Sequence, residues 1–144
     1  MLTHAVDTAD GETSLDAIES AIAQLRVGAA KAQANLLVMH PSDWSKVRRS
    51  KDAQGRYLVA PDPTSGEAST VWGVEVFTTT AQTSGSAFML DTSKFGKVLV
   101  RDSLRVLVGT SGDDLVRNLT RFVVEERLAL AVERPAAVLK LSGL

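Results

Sequence analysis

The sequence contains no cysteine and only two histidines, His4 and His40. Because disulfide bonds, thiol nucleophiles and cysteine-ligated metal sites all require cysteine, each of them is excluded. Neither histidine is accompanied by a nucleophile-elbow motif, so a serine-hydrolase site has no support. His40 precedes Pro41 at a predicted helix start, where we expect a capping or surface role.

Features needed for membrane or nucleotide binding are also missing. No apolar run approaches the ~18–20 residues that span a bilayer, and residues 1–11 lack the basic segment of a signal peptide. Neither a Walker loop nor a GxGxxG motif occurs. The pair Asp113–Asp114 lacks further carboxylates at a cation-binding spacing. We therefore expect a soluble, intracellular protein with no membrane partner, metal or cofactor.

The sequence also lacks an excess of charge of either sign. The net charge of about -1 gives no general attraction to nucleic acid. The densest basic cluster is KVRRSK (46–51), which includes Arg48 and Arg49, and no aromatic residues interleave it. We expect no specific nucleic-acid binding. A solvated helix face is the simpler interpretation, and contact with an acidic neighbouring subunit is the alternative.

The hydrophobic content, 44% of 144 residues, is that of one folded domain with a sizeable core. Helical periodicity predicts a helix from a cap at Thr13 or Ser14 to about Gly28. A second helix, at about 41–50, begins at Pro41. The residues expected to face inward are Leu15, Ile18, Ile22 and Leu25 on the first helix, and Trp44 and Val47 on the second.

Short extended segments surround these helices. Strands are predicted at 36–39, at 71–79 with Gly73 as a bulge, at 87–90, at 97–101 and 104–108 as a hairpin, and at 136–141. Residues 1–12 read as an irregular lead-in, and 60–70 as a loop. Together these elements predict an α+β fold in which a mixed or antiparallel sheet is flanked by two main helices.

The segment RNLTRFVVEERLALAVERP (117–135) is apolar but carries Glu125, Glu126 and Arg127 at its centre. Its apolar residues alternate, which favours one long strand over a helix. Charges in the middle of a strand are unusual for a core and reasonable for a seam between subunits. Arg117, Asn118 and the central charges are therefore interface candidates, together with Arg48 and Arg49.

Three stretches in order resemble the tailed-phage major capsid proteins of the Hong Kong 97 fold. They are NLLVMHPSDWSKVRRSKDAQGRYL (35–58), VWGVEVFTTTAQTSGSAFMLD (71–91) and RNLTRFVVEERLALAVERPAAVLKL (117–141). The resemblance covers the C-terminal half of that family. Nothing in the sequence resembles the family's N-terminal arm, extended loop or long spine helix.

The resemblance implies a division of the chain into 1–112 as an axial-domain-like region, 113–132 as a long strand of the peripheral domain, and 133–144 as a strand returning to the axial domain. It also implies a structural, non-enzymatic subunit of an icosahedral shell. Its partners would be copies of itself, in a dimer or a capsomer-like ring, and other capsid subunits. Its location would be the virion and, during assembly, the bacterial cytoplasm. Loops at 52–70 and 79–86 would touch neighbours.

Some members of the family cross-link themselves: a lysine on the extended loop attacks an asparagine of a neighbour, and a glutamate takes up the proton. By motif, Asn118 and Glu125 occupy those two positions. Apolar surroundings would raise the pKa of such a glutamate. If 113–132 is one strand, residues 118 and 125 lie on opposite faces roughly 23 Å apart, so a shared site would need different subunits. Plain inter-strand ion pairing is the simpler role for Glu125 and Arg127.

Two other functions remain open. A bacterial nanocompartment shell protein would share the fold and bind cargo enzymes. A prophage-derived interaction protein would interfere with the assembly of an intact capsid. An enzyme acting on a small substrate is a more distant possibility, because no catalytic constellation emerges from the residues.

We expect no covalent self-cross-linking of this chain, because no segment of it resembles the lysine-bearing loop. The purified protein should run as one band on a denaturing gel. A ladder of covalent multimers on that gel would contradict the expectation.

Overall fold

The computed structural model describes residues 1–7, 11–59 and 69–144. The elements in chain order are β1 (Leu2–Ala5), α1 (Ser14–Val27), β2 (Leu36–Met39), α2 (Pro41–Arg48), β3 (Thr70–Val71), β4 (Val74–Thr78), β5 (Ser86–Leu90), α3 (Thr92–Phe95), β6 (Gly96–Gly109), β7 (Arg121–Val132) and β8 (Val138–Ser142). The chain divides into two compact units. The first comprises Met1–Phe95 with Glu133–Leu144, and the second comprises Gly96–Val132.

The first unit is built on a six-stranded sheet with the order β1-β8-β5-β2-β4-β3. β1 pairs with β8, and β2 with β4, in parallel, whereas the β2–β5, β5–β8 and β3–β4 pairs are antiparallel. The mixed sheet with its two main helices confirms the predicted α+β class. Its central strands follow from sequence runs, LLVM and SAFML, that bury alternate residues.

Helix α1 begins and packs as its sequence predicts. Thr13 caps it: the Thr13 hydroxyl accepts from the backbone N–H of Asp16, and the Asp16 carboxylate accepts from the N–H of Thr13. The helix ends at Gly28, where a Cβ would lie 2.9 Å from the carbonyl oxygen of Gln24. The inward face, buried in the core, consists of Ala17, Ile18, Ala21, Ile22 and Leu25.

Helix α2 confirms the capping role expected of His40. The Nδ1 atom of His40 accepts from the backbone N–H of Ser42 at 3.1 Å, and Pro41 follows as the first helical residue. Trp44 and Val47 face the core and are almost fully buried. The helix therefore packs through an inward stripe, while Lys46 is exposed and Arg48 is half-buried.

Two expectations for the first unit were wrong. The N-terminal lead-in contains a strand, because the backbone of Leu2–Ala5 completes the sheet edge beside β8. Residues 71–79 are not one strand with a bulge. Instead, Trp72 and Gly73 both have positive φ, 51° and 77°, and form a two-residue turn between β3 and β4. Of the predicted loop at 60–70, residues 60–68 lie outside the described residues.

The second unit is a two-stranded antiparallel ribbon of β6 and β7. The predicted hairpin within 97–108 was wrong, because β6 is one strand from Gly96 to Gly109. Its pairing with β7 shifts in register on both sides of Asp102, and the strand continues through that residue. β7 begins at Arg121 rather than at 113, and a 3-10 turn at Gly112–Asp114 lies in the connection. The second compact unit begins at Gly96.

The core of the first unit generates a stability prediction. Leu139 lies on β8 and is fully buried between sheet neighbours and α1, so Leu139→Ala should leave a cavity and lower the free energy of unfolding by about 2–5 kcal/mol. Val27→Ala is the matched control, because Val27 is 87% exposed and its truncation should change stability by less than about 0.5 kcal/mol. Urea unfolding followed by circular dichroism measures both, and equal losses would contradict the placement of the core.

Candidate subunit interface

The ribbon exposes an apolar face. In a strand, alternate residues share a face, and the register pairs the even-numbered residues of β7 with those of β6 at both ends of the ribbon. We call the resulting surface the apolar face; it consists of Val98, Val100, Val106, Val108, Phe122, Val124, Leu128, Leu130 and Val132. Each of these side chains is about half exposed or more. A surface of this extent is typical of a contact with another protein segment.

The opposite face of the ribbon carries paired charges. The Arg105 guanidinium donates to Glu125 Oε2 at 2.7 Å, and Arg127 Nε lies 3.7 Å from Asp102 Oδ2. The same face also carries the partly exposed side chains of Leu99, Leu107 and Val123. We call it the charged face after its four charged residues. Ion pairing between the strands, the simpler role considered for Glu125 and Arg127, is thus present. All four side chains are more than half exposed, so the pairs contribute little to stability.

The surroundings of Glu125 differ from those expected. A glutamate buried among apolar side chains was anticipated, but Glu125 faces solvent and the guanidinium of Arg105. The alternation of β7 turns Val124 and Leu128 to the other face of the ribbon, whereas Val123 stays on the face of Glu125.

Asn118 also lies in a different structure from the one expected. It belongs to the connection that precedes β7, with a positive φ of 53°, and its backbone N–H donates to Leu115. Asparagine tolerates this left-handed conformation better than most residues. The argument that Asn118 and Glu125 lie on opposite faces of one strand was wrong, because the strand begins only at Arg121. Arg117 is exposed in the same connection.

Asp114 organises that connection. Its carboxylate accepts from Arg121 Nε at 2.6 Å and from the other Arg121 nitrogen at 3.0 Å, and it also accepts from the backbone N–H of Ser111 at 2.9 Å. Arg121, followed by the Ser111 N–H, lowers the pKa of Asp114. The backbone carbonyl of Asp114 receives the N–H of Leu119. These hydrogen bonds, which we call the Asp114 clamp, therefore fix the turn that contains Asn118. The one feature of the sequence that pointed to the clamp was the pair Asp113–Asp114.

The basic cluster at 46–51 is largely engaged within its own unit. Lys46 donates to the carboxylate of Asp43 at 2.8 Å, and the ammonium of Lys51 lies 4.7 Å from the ring centroid of Tyr57. Arg49 donates to the carbonyl of Ser45, and Arg48 is half-buried. These contacts hold much of the cluster within its own unit. Contact of the cluster with an acidic neighbouring subunit stays a prediction.

Sequence reasoning missed the clamp at Asp43. This carboxylate is fully buried and accepts from Lys46, from Ser84 Oγ at 2.9 Å and from the backbone N–H of Gly85 at 2.6 Å. Burial is the largest influence on the pKa of Asp43 and raises it, but the three hydrogen bonds together outweigh burial and lower the pKa. Asp43 thereby fixes the loop before β5, one of the loops expected to touch neighbours.

The described parts of the chain offer no alternative centre of chemistry. Among residues 1–7, 11–59 and 69–144, no group of three or more histidine, aspartate or glutamate side chains is arranged to hold a metal ion. None of the helices in these ranges is long and apolar enough to cross a lipid bilayer.

Comparison with known proteins agrees with this architecture. A model of the phage capsid family matches residues 2–143. The chain therefore belongs to the phage capsid family, as the three resembling stretches indicated.

Particular relatives add detail. The major capsid protein of Enterobacteria phage HK97 is 34% identical over 133 residues, which are 92% of this chain and 34% of that protein. Two solved capsids of GTA particles share the fold. The empty particle gives a TM-score of 0.72 at 23% identity, and the native particle gives 0.70 at 22%. Each match covers 97% of this chain, which spans about half of the solved chains and about a third of the HK97 protein.

The Asp114 clamp makes a testable prediction about the connection. Asp114→Ala should increase the amide exchange rates of Ser111 and Leu119, because the first loses its acceptor and the second its fixed turn. Since the pKa of Asp114 is lowered, the clamp is complete above the ordinary aspartate pKa of 3.8 and is lost as the pH falls through the lowered value.

The measurement is amide hydrogen exchange by NMR at matched pH. Asp113→Ala is the control, because Asp113 is exposed and its side chain is not part of the clamp. Faster exchange in both variants alike, or in neither, would contradict the role assigned to Asp114.

Proposed function

We propose that this chain is a structural part of an icosahedral phage-type shell and that it acts by association with copies of itself and with other capsid subunits. Family membership supports the proposal. The observation that carries it is the apolar face of the ribbon, which has no covering among the described residues of its own unit. Exposure of such a surface to water is unfavourable for an isolated chain, whereas its burial against a neighbour favours association.

Energetics favour association over exposure. Complete burial of one Val, Leu or Phe side chain contributes about 1.5–3 kcal/mol, so even partial covering of the apolar face supplies on the order of several kcal/mol. An isolated two-stranded ribbon is marginally stable in water. A neighbour that covers the ribbon would therefore stabilise its conformation and bind the subunit in the same step, which suits assembly from repeated weak contacts.

Within this proposal, the first unit corresponds to the axial domain and the ribbon to strands of the peripheral domain. The interface candidates keep distinct roles. Arg117 and Asn118 lie exposed in the connection, and Glu125, Glu126 and Arg127 lie on the ribbon. Arg48 and Arg49 are weaker candidates because of their local contacts. We propose no catalytic role for any of them, and no cofactor, membrane or specific nucleic acid as a partner.

The names of the relatives favour a phage-type shell over the alternatives. The curated match is a phage capsid protein, and the solved structures are capsids of GTA particles. A nanocompartment shell or an interference protein is supported by no separate feature of this chain. The proposed location is accordingly the virion shell, with the bacterial cytoplasm as the place of assembly.

Light scattering of the purified chain over a wide range of concentration tests the proposal. We expect a mass that rises with concentration through contacts of the apolar face. The double variant Phe122→Ser with Leu128→Ser should shift the protein to monomer, because two large side chains of that face become polar. The exposed Val27→Ser in the other unit is the control and should associate as the wild type does.

Circular dichroism of the double variant shows whether the first unit remains folded. A wild-type protein that stays monomeric at high concentration would contradict the proposal. A double variant that still associates like the wild type would show that the apolar face is not the contact surface.

A further inference from the structure

His40 lies at one end of a chain of short polar contacts that joins α2 to the loop before β5. Its Nδ1 atom accepts from the backbone N–H of Ser42 at 3.1 Å and lies 2.6 Å from Ser42 Oγ. Ser42 Oγ lies 3.2 Å from Ser84 Oγ, and the Ser84 hydroxyl donates to Asp43 Oδ1 at 2.9 Å. The imidazole is therefore connected to the buried carboxylate of Asp43 through two hydroxyl groups.

The hydrogens available to this chain of contacts cannot serve all of them at once. A backbone N–H can only donate, so the Nδ1 atom that caps α2 carries no proton. The two serine hydroxyls then supply two hydrogens for three side-chain contacts, since each hydroxyl carries one. With the Ser42 hydrogen on His40 and the Ser84 hydrogen on Asp43, no hydrogen is left for the contact between the two hydroxyl oxygens.

A proton on Nδ1 of His40 reverses this assignment. The protonated nitrogen can donate to Ser42 Oγ, the Ser42 hydroxyl to Ser84 Oγ, and the Ser84 hydroxyl still to Asp43, so every side-chain contact has its hydrogen. The backbone N–H of Ser42 loses its acceptor, and a positive charge at the start of a helix is unfavourable. Proton uptake therefore exchanges the cap of α2 for a complete link to the loop.

The charged groups nearby leave this exchange open. The titratable side chains on α2, β2, β4, β5 and β8 are Asp43, Lys46, Arg48, Glu75 and Lys140. The loop 79–86 contains none. Glu75 pairs with Leu36, at the end of β2 that lies away from His40. Asp43 keeps its charge while a histidine titrates, because the pKa of Asp43 is lowered. The charge that the contacts connect to His40 is thus this carboxylate.

We propose that His40 is a proton-dependent switch, which caps α2 when it is neutral and joins the start of α2 to the loop 79–86 when it is protonated. Histidine is the side chain whose ordinary charge change falls between about pH 5 and 8, so mild conditions reach both states. The loop is one of those expected to touch neighbours, and the switch would adjust its tether to the pH. The switch lies within one chain and does not depend on the proposed function.

Amide hydrogen exchange of the whole chain, followed by NMR from about pH 8 to about pH 5, tests the switch over the range in which histidine titrates. The intrinsic rate of an unfolded peptide at the same pH is divided by each measured rate, which gives a protection factor. The protection of the Ser42 amide should fall by about three- to thirtyfold as the pH falls, as the loss of an N-cap commonly produces. The protection of the Gly85 amide, which donates to Asp43 at 2.6 Å, should not fall.

Three variants separate the parts of the switch. His40→Asn keeps a capping side chain that does not titrate in this range, so the Ser42 amide should be equally protected at both ends of it. Ser84→Ala removes the acceptor that the Ser42 hydroxyl has in the protonated state, so the loss of protection should occur at a lower pH. His4→Asn is the matched control: it removes the other histidine of the sequence, which contacts Glu12, so the wild-type response should remain.

Several results would overturn the proposed switch. Constant protection of the Ser42 amide in the wild type would show that the cap does not respond to a proton. A fall that persists in His40→Asn, or that disappears in His4→Asn, would assign the response to another group. An equal fall at Ser42 and Gly85 would indicate a general loosening of the first unit. An unchanged midpoint in Ser84→Ala would leave an ordinary helix cap with no link to the loop.

Discussion

The structure depends on one constraint: a long two-stranded ribbon must find a covering for its apolar face. The first unit buries its own hydrophobic residues, since α1, α2 and the six-stranded sheet enclose side chains such as Ile18, Leu37 and Leu139. The second unit does not, because its described residues are almost all exposed. We propose association with other subunits as the way in which that surface is removed from water.

Buried carboxylates fix the conformation of loops in the first unit, including one that we expect to contact neighbouring subunits. Asp43 ties α2 to the loop before β5. Asp91 accepts from the backbone N–H groups of Gln33 and Ser93 and so ties two connections together. Burial, the largest influence on the pKa of Asp91, raises it, but the hydrogen bonds outweigh burial and the pKa is lowered. Such fully paired carboxylates rigidify loops at little cost in stability. In a shell, fixed loops keep repeated contacts identical from subunit to subunit.

Periodicity predicted the first unit well because its elements are amphipathic over their whole length. The stripe of α1, the Thr13 cap and the alternation in β2 and β5 each have one physical interpretation. Local patterns failed where a non-local pairing decides the structure. Leu2–Ala5 becomes a strand only because β8 lies beside it, and β6 remains one strand through Asp102 because β7 supplies its ladder. The turn at Trp72 and Gly73 was missed because the residues on both sides of it favour a strand.

The strand position of the central charges could be predicted from the sequence, but their geometry could not. Glu125, Glu126 and Arg127 stood out as charges within an apolar strand, and they do lie at the centre of the ribbon. Their division between two faces follows from alternation, yet which face would be apolar depended on the register with β6. The clamp of Asp114 on Arg121 could not be read from spacing, because a turn rather than a strand joins the two residues.

The central claim is that the ribbon owes its stability to contacts with other subunits. Residue-resolved amide hydrogen exchange tests it directly, first on the dilute monomer and then on the associated protein. We predict that β6 and β7 exchange much faster than β5 and β8 in the monomer and become protected on association. Protection of the ribbon in the monomer equal to that of β8 would contradict the account, because the ribbon would then be stable without a partner.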